Sequence, residues 1–361
     1  MAWPFSTAEL TAGLRRYLAE PALHISELAE QPLPPAFAPS QAPPAVRGLR
    51  VGYSVGDDQF ALACVVKEPA GATRPGLANP GVREAGIYRS LSVQLPMPTP
   101  ALIAADPSGS WLVLEAVEAV PAVWGADDYQ QAITLLARLH ERFWGLADDL
   151  AAYPWLARPL TLDYEIHVYA AATALGQIVR DEWPPLIAHS PQTLGTLGQI
   201  IFQAEKVVQP LRMVPFTLLH GDFWAGNVVR DAEGDMIVLD WQLAGIGPGV
   251  LDLVVMITTG QWMPRLPASA LPLPQPKLIA RYRREIARLL GLRWSDAEWS
   301  ELWDHALLWR FMQEMLPWVA SVAPAEFDAR ERLFDEVWLD PVLAAAGRRL
   351  APFSQIESTN S

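Results

Sequence analysis

Residues 217–242 read TLLHGDFWAGNVVRDAEGDMIVLDWQ, and the reading of the whole chain turns on them. Two apolar runs, Leu218-Leu219 and residues 236–239, each deliver the chain into polar groups. The first ends in His220-Gly221-Asp222 and the second in Asp240-Trp241-Gln242. Between them Asn227 precedes the β-branched pair Val228-Val229, and the Asp and Gly content of residues 231–235 is that of a tight turn. The pattern predicts a loop, then a hairpin of two short strands, with Asp222, Asn227 and Asp240 at its mouth. Five positions separate Asp222 from Asn227, which lets one loop turn both side chains toward a common point. Thirteen positions separate Asn227 from Asp240, enough for two short strands and a turn. Two carboxylates and an amide are hard oxygen ligands of the kind Mg²⁺ takes, with one carboxylate left to orient a hydroxyl. Any one of these residues alone reads as a turn or strand-end cap; the ordered set favours a catalytic reading.

HGDxxxxN followed by a strand-borne Asp resembles the catalytic and metal-binding segments of the aminoglycoside phosphotransferase and choline-kinase-like family, small-molecule relatives of the protein kinases. The wording HGDFWAGNVV and VLDWQLAGIGPGVLDL looks most similar to the ecdysteroid-kinase-like branch and to bacterial branches of that family. The resemblance implies an α+β, bilobal protein-kinase-like fold. An N-terminal helix at 1–19 would precede a small antiparallel-sheet lobe at 20–118, with a larger, mainly helical lobe at 119–351 and a disordered tail at 352–361. It further implies Asp222 as the catalytic residue and Asn227 and Asp240 as metal ligands. His220 and Asp252 take supporting roles, Asp252 bracing the catalytic loop through backbone hydrogen bonds. A carboxylate favoured by a helix N-terminus accounts for Asp252 equally well.

The N-terminal third supplies the other half of such a site. Ser6 with Glu9 is a capping-box pattern that opens a helix carrying Leu10, Leu14 and Leu18 on one side. Residues 22–33 read as a first strand, and 46–55 and 60–67 as two more, joined at Gly56-Asp57-Asp58. Lys67 closes an apolar strand, unusual because lysine is rarely buried unless paired. In the resembling family a lysine here contacts the α- and β-phosphates of ATP and pairs with a glutamate on the next helix. Glu84, within VREAGIYR at 82–89, matches that glutamate. The strand at 111–114 leads into a connector at 115–120, where the family holds the adenine edge by backbone groups. Leu114, Glu115 and Val117 are assigned there by position alone. The loop expected to cover the ATP phosphates, at 34–45, has five prolines and no glycine. Proline donates no N–H, so phosphate cover falls to amides such as those of Phe37, Ser40 and Gln41, or nucleotide binding is weak.

Composition narrows the remaining choices. A chain of 361 residues with half its residues hydrophobic and 15 Trp can build a large core. The net charge of −13 argues against nucleic-acid binding. The single cysteine, Cys64, rules out an internal disulfide and a Cys-based zinc site. No basic-then-apolar leader and no apolar run of about 18 residues is evident, so a cytoplasmic protein with no membrane partner is expected. Helices are expected at 127–143, 163–182, 192–209, 276–291, 296–316 and 326–348. His140 reads as a core or capping histidine. Asp163, Glu165 and His167 read as a solvated helix face, with acceptor contact as the alternative. The expected activity is ATP- and Mg²⁺-dependent transfer of a phosphoryl group to the hydroxyl of a small-molecule alcohol; the alternative is a catalytically silent nucleotide- or ligand-binding protein of the same fold.

Overall fold

The computed structural model describes residues 2–33, 45–69, 76–118, 124–181, 191–262, 275–323, 327 and 331–350. The proline-rich loop, over 34–44, and the 352–361 tail lie outside the described residues. The fold is bilobal, with a small N-terminal β-sheet lobe and a larger helical C-terminal lobe. The chain divides into two compact units. One comprises residues 1–73, 77–123 and 225–244, and the other 74–76, 124–224 and 245–361.

The first unit is built on a five-stranded antiparallel sheet of order β1-β2-β3-β5-β4. Its strands are β1 (His24–Gln31), β2 (Ala45–Val55), β3 (Asp58–Glu68), β4 (Leu102–Ala105) and β5 (Leu112–Glu115). The β2–β3 hairpin turns at Gly56 with φ +61°, a left-handed conformation that glycine adopts without steric cost. Helix α1 (Thr7–Tyr17) begins in a complete capping box, Ser6 and Glu9 each satisfying the other's backbone N–H. Its Leu10 and Leu14 bury against Leu49, Val51, Cys64, Val66, Ile103 and Val113. Each fully buried leucine stabilises this packing by roughly 1.5–3 kcal/mol. Gly13 sits so close to β4 that a Cβ there would lie 2.4 Å from the Ile103 carbonyl oxygen. Alternation along β3 puts Cys64 and Val66 in this core and sends Lys67 to the opposite face. Helix α2 (Pro80–Gly86) follows, extended by a π-turn at Ile87–Leu91. Strand β4 has no counterpart in the sequence reading; four residues beside several prolines give too short a periodic signal.

The predicted hairpin belongs to this unit. Strands β7 (Val228–Arg230) and β8 (Met236–Val238) pair antiparallel, Val228 opposite Val238. The Leu239 amide then donates to the Asn227 carbonyl at 2.8 Å, and the Val238 amide to the Pro98 carbonyl at 3.0 Å.

The second unit is helical. It contains α3 (Ala126–Arg142), α4 (Ala147–Leu150), α5 (Tyr164–Arg180), α6 (Pro191–Phe202) and α7 (Ala204–Arg212). After the hairpin come α8 (Val250–Trp262), α9 (Gln275–Leu290), α10 (Asp296–Arg310), α11 (Leu316–Ser321), α12 (Glu331–Phe334) and α13 (Asp340–Arg349). The helix expected over 192–209 is two helices, broken at Gln203, which caps α7 in a non-helical conformation. A short ladder adds to the helices: β6 (Thr217–Leu219) pairs antiparallel with β9 (Gly245–Gly247), a strand not expected from the sequence. A Cβ on Gly245 would lie 2.8 Å from the Ala157 carbonyl oxygen, so glycine there permits close packing of backbones. Trp309, Trp338, Phe311 and Phe334 are fully buried in this unit, which accounts for part of the aromatic content. No helix among the described residues is long and apolar enough to cross a membrane.

Candidate active site

In the first unit, β3 carries Lys67 and α2 carries Glu84 to within 2.7 Å of each other, Nζ to Oε2. The same ammonium lies 2.6 Å from Asp240 Oδ1. Lys67 and Glu84 are buried, Glu84 to 1% exposure, whereas Asp240 is 28% exposed. Burial opposes the charge on Lys67, but Asp240 and then Glu84 outweigh it and raise its pKa. Burial pushes the Glu84 carboxyl up to about 7; Lys67 pulls it down and the charge of Asp240 pushes it up again. The causes differ: the two carboxylates raise Lys67 against its burial, whereas burial raises Glu84 against the pull of Lys67.

Asp240 itself is held in a left-handed conformation, φ 60° and ψ 67°, at a cost on the order of 1 kcal/mol for a non-glycine residue. Neighbouring contacts fix it there. Buried Trp241 follows it, and buried Arg83, next to Glu84 on α2, donates to the Gln242 carbonyl at 2.9 Å and to the Ala78 carbonyl at 3.3 Å. Tyr88 donates to Glu84 Oε1 at 3.4 Å from the π-turn. Thus adjacent residues of α2 reach the Asp240 turn by two routes, Glu84 through the ammonium of Lys67 and Arg83 through the Gln242 carbonyl. Asn227 and Asp240 lie at the same end of the β7–β8 hairpin, one residue before β7 and two after β8.

At the end of β5, Leu114 and Val117 are buried. The Glu115 amide is already donated to the Ala101 carbonyl at 2.9 Å, and its carboxylate accepts from the Ala101 amide at 3.2 Å. The Ala116 amide goes to the Ala63 carbonyl. Among the described residues no hydrogen bond is formed by the amides of Val117 and Glu118, which follow in the same connector.

In the second unit a buried carboxylate organises the loop after β6. Asp252, in the first turn of α8, accepts from the His220 amide at 2.7 Å and the Gly221 amide at 2.9 Å. His140 Nε2 lies 3.3 Å and Arg310 Nη2 3.5 Å from the same carboxylate. Burial alone would raise the pKa of Asp252; His140, Arg310 and His220 together lower it. His140 is completed by Tyr282, whose hydroxyl lies 2.7 Å from Nδ1. Arg310 also donates to the carbonyls of Leu251 and Gly221. Gly221 has φ +85°, and Asp222, half-buried, donates its amide to His220 Nδ1 at 3.2 Å. The loop that presents Asp222 is therefore pinned at two consecutive amides by one anion. His140 is the core histidine the sequence suggested.

Of the three residues read as a solvated helix face, Glu165 fits that reading and His167 does not. His167 is buried against Trp309, edge to face, with its Nε2 3.3 Å from the Gln313 amide nitrogen. Asp163 accepts from the Arg158 amide at 2.6 Å, and Glu165 is exposed. Arg83, Tyr88, Tyr282 and Arg310 went unnoticed in sequence. The contacts of Arg83, Tyr282 and Arg310 are long-range or run to backbone, so no local spacing marks them, whereas Tyr88 stands four residues after Glu84, a helical spacing that could have marked it.

Mg²⁺ can be tested against these donors. The first-unit cluster holds two carboxylates against one ammonium, and Asp240, the more exposed of the two, stands at the Asn227 end of the hairpin. No group of three or more His, Cys, Asp or Glu able to hold a metal occurs among the described residues. A protein cage is thus absent there, while one carboxylate and one amide, completed by phosphate oxygens and water, suit Mg²⁺. The donors fit the ion.

The first unit holds a sheet-borne lysine clasped by a helix glutamate and a hairpin aspartate, and the second holds a pinned HGD loop. The family model described as the phosphotransferase enzyme family matches residues 52–292, more than half of the chain, and the chain belongs to that family. Among solved structures, it is similar to macrolide 2'-phosphotransferase MphH from Brachybacterium faecium, at 15% identity over 89% of this chain and 97% of that one, with a TM-score of 0.50. It is also similar to choline kinase LicA from Streptococcus pneumoniae (13% identity, 83% and 88% covered, TM-score 0.44). A third is an aminoglycoside phosphotransferase from Alicyclobacillus acidocaldarius (13% identity, 86% and 90% covered, TM-score 0.47). At such identities the likeness is one of fold. No curated protein matches the chain.

Proposed function

We propose that this protein is an ATP- and Mg²⁺-dependent kinase that moves the γ-phosphoryl group of ATP to a hydroxyl of a small-molecule alcohol. The observation that carries the reading is Lys67, a buried ammonium shared by Glu84 and Asp240. A buried cation with a carboxylate on either side is costly to keep for structure alone. It makes chemical sense if phosphate oxygens take one of those places. In the proposed reaction Lys67 turns from Asp240 to the α- and β-phosphate oxygens and stays paired with Glu84. Asn227 and Asp240 would hold Mg²⁺, which would neutralise charge on the phosphates. The Val117 amide takes the adenine edge, with Leu114 and Glu115 forming the end of the strand behind it. Asp222 accepts a hydrogen bond from the acceptor hydroxyl and aims its oxygen at the γ-phosphorus. The new O–P bond forms as the bond to the β-phosphate oxygen breaks, ADP leaves, and the hydroxyl proton passes to Asp222. His220 and Asp252 hold the loop that presents Asp222.

The wording VLDWQLAGIGPGVLDL supports placing the chain in the ecdysteroid-kinase-like branch. An acceptor screen therefore includes steroid-like alcohols beside aminoglycosides, macrolides and choline-like amino alcohols. ATP with Mg²⁺ is expected to raise the Tm of the wild type, and Asp240→Ala to abolish the rise. ADP release stimulated by one acceptor and lost in Asp222→Ala would establish the transfer. No Tm shift at about 5 mM ATP overturns the reading, since a Kd above that leaves no nucleotide site of use. An ATP-dependent shift with no acceptor-stimulated turnover across the panel favours the silent binder instead.

A further inference from the structure

A cavity of about 540 Å³ lies in the sheet unit, at the β4 edge, between α1 and the π-turn after α2. Its lining has a division of labour. Tyr17, Met97, Pro98 and Pro100 offer apolar surface, and Arg16 and Arg89 are charged, with no aspartate or glutamate in the lining. In a chain of net charge −13, a concavity lined by two cations and no anion stands out. The Arg16 side chain makes no hydrogen bond or ion pair among the described residues. Arg89 makes one hydrogen bond, to the Ala105 carbonyl at 3.0 Å, and no ion pair among them. Asp106, which follows Ala105 of the wall, accepts from the amides of Ser108 and Ser110 and from the Ser110 hydroxyl.

The same walls reach residues assigned above to the nucleotide. Tyr88 lines the cavity and donates to Glu84, and the Tyr88 carbonyl is tied to the Ser92 hydroxyl at 2.7 Å, also in the wall. Ala101 exchanges hydrogen bonds with Glu115 in both directions. Tyr17 feels Glu115 as well: burial, then the charge and hydrogen bond of Glu115, hold its phenol above the ordinary value.

We propose that this cavity is an effector site for a small organic anion, a carboxylate or phosphate monoester on an aromatic or aliphatic body, whose binding is felt at Glu84 through Tyr88 and at Glu115 through Ala101. The anion takes the two guanidinium groups, which pair with planar oxyanions, and the body takes the apolar wall. The effect on nucleotide rests on the proposed kinase reading; binding itself does not.

The test uses the full chain with phenyl phosphate and benzoate as anionic probes and benzyl alcohol as the neutral control. At about 10 mM, either anion is expected to raise the Tm by about 2 °C while benzyl alcohol leaves it unchanged. The double variant Arg16→Gln/Arg89→Gln is expected to lose that rise and to keep the rise given by ATP and Mg²⁺. An anion rise that persists in the double variant, equals that of benzyl alcohol, or is missing from the wild type overturns the site. With a probe bound, the ATP concentration for half-maximal shift is expected to change at least about threefold, a coupling that must be reciprocal. Anion binding without such a change overturns the link to Glu84 and Glu115. Loss of the ATP shift alone, with the anion shift intact, would refute the kinase reading and leave the cavity site standing.

Discussion

Asp252→Asn is the substitution that most directly tests how the Asp222 loop is held. It preserves shape and removes one charge. In the wild type both oxygens are used, Oδ2 by the His220 amide and His140, Oδ1 by the Gly221 amide and Arg310. An asparagine has one oxygen. In either orientation its NH₂ group faces a backbone N–H, which leaves a buried donor without an acceptor at a cost of about 1–3 kcal/mol. Arg310 also loses one of its two anionic partners but keeps Glu314, so the charge contribution falls short of the roughly 3–5 kcal/mol for stripping a buried ion of its partner. Together the loss is expected at about 3–5 kcal/mol, or near 5 °C in Tm for a chain of this size. Because the folded-state pKa of Asp252 lies below 3.8, its contribution is present above that value and lost as pH falls through the folded-state pKa. Calorimetry of wild type and variant is therefore expected to give a constant gap from about pH 5 to 8 that narrows in stronger acid. A gap under about 1 °C at neutral pH would refute the view that this anion pins the loop.

Two further substitutions probe the sheet unit. Lys67→Met leaves Glu84 buried without its cation and is expected to cost about 3–5 kcal/mol by urea unfolding. Adding Glu84→Gln should recover at least about 1 kcal/mol of that loss, and strict additivity of the two changes would argue against a direct pair. Cys64 is fully buried in the α1 core, and burial, with the charge of Glu115, pushes its thiol up to about 12. It is expected to resist a disulfide reagent at pH 8 until the lobe opens, with labelling following the unfolding rate; reaction of the native protein within seconds would contradict this burial.

The segment 217–242 was legible because its information is local. A turn needs Asp and Gly, short strands need β-branched residues, and polar residues at strand ends stand out against apolar runs. The hairpin, α1 with its capping box, and β2 and β3 follow from such short-range rules, and the match of Lys67 and Glu84 came from family resemblance built on the same stretch. Other features depend on contacts between distant parts of the chain. Strand β4 is too short to show a period, and β9 is a glycine run that becomes a strand only because β6 and Ala157 lie alongside. His167 looks like a surface residue on α5 until Trp309 covers it.

By itself, then, the sequence determined the order of the chemical groups: Lys67, Glu84, Asp222, Asn227, Asp240 and Asp252. Tertiary structure decided their electrical state. Lys67 faces two carboxylates, Asp240 is held in a left-handed turn by Arg83 through Gln242, and Asp252 is an anion because two amides, His140 and Arg310 converge on it. Charge state depends on burial and on neighbours a hundred residues away, and no local pattern of side chains encodes either.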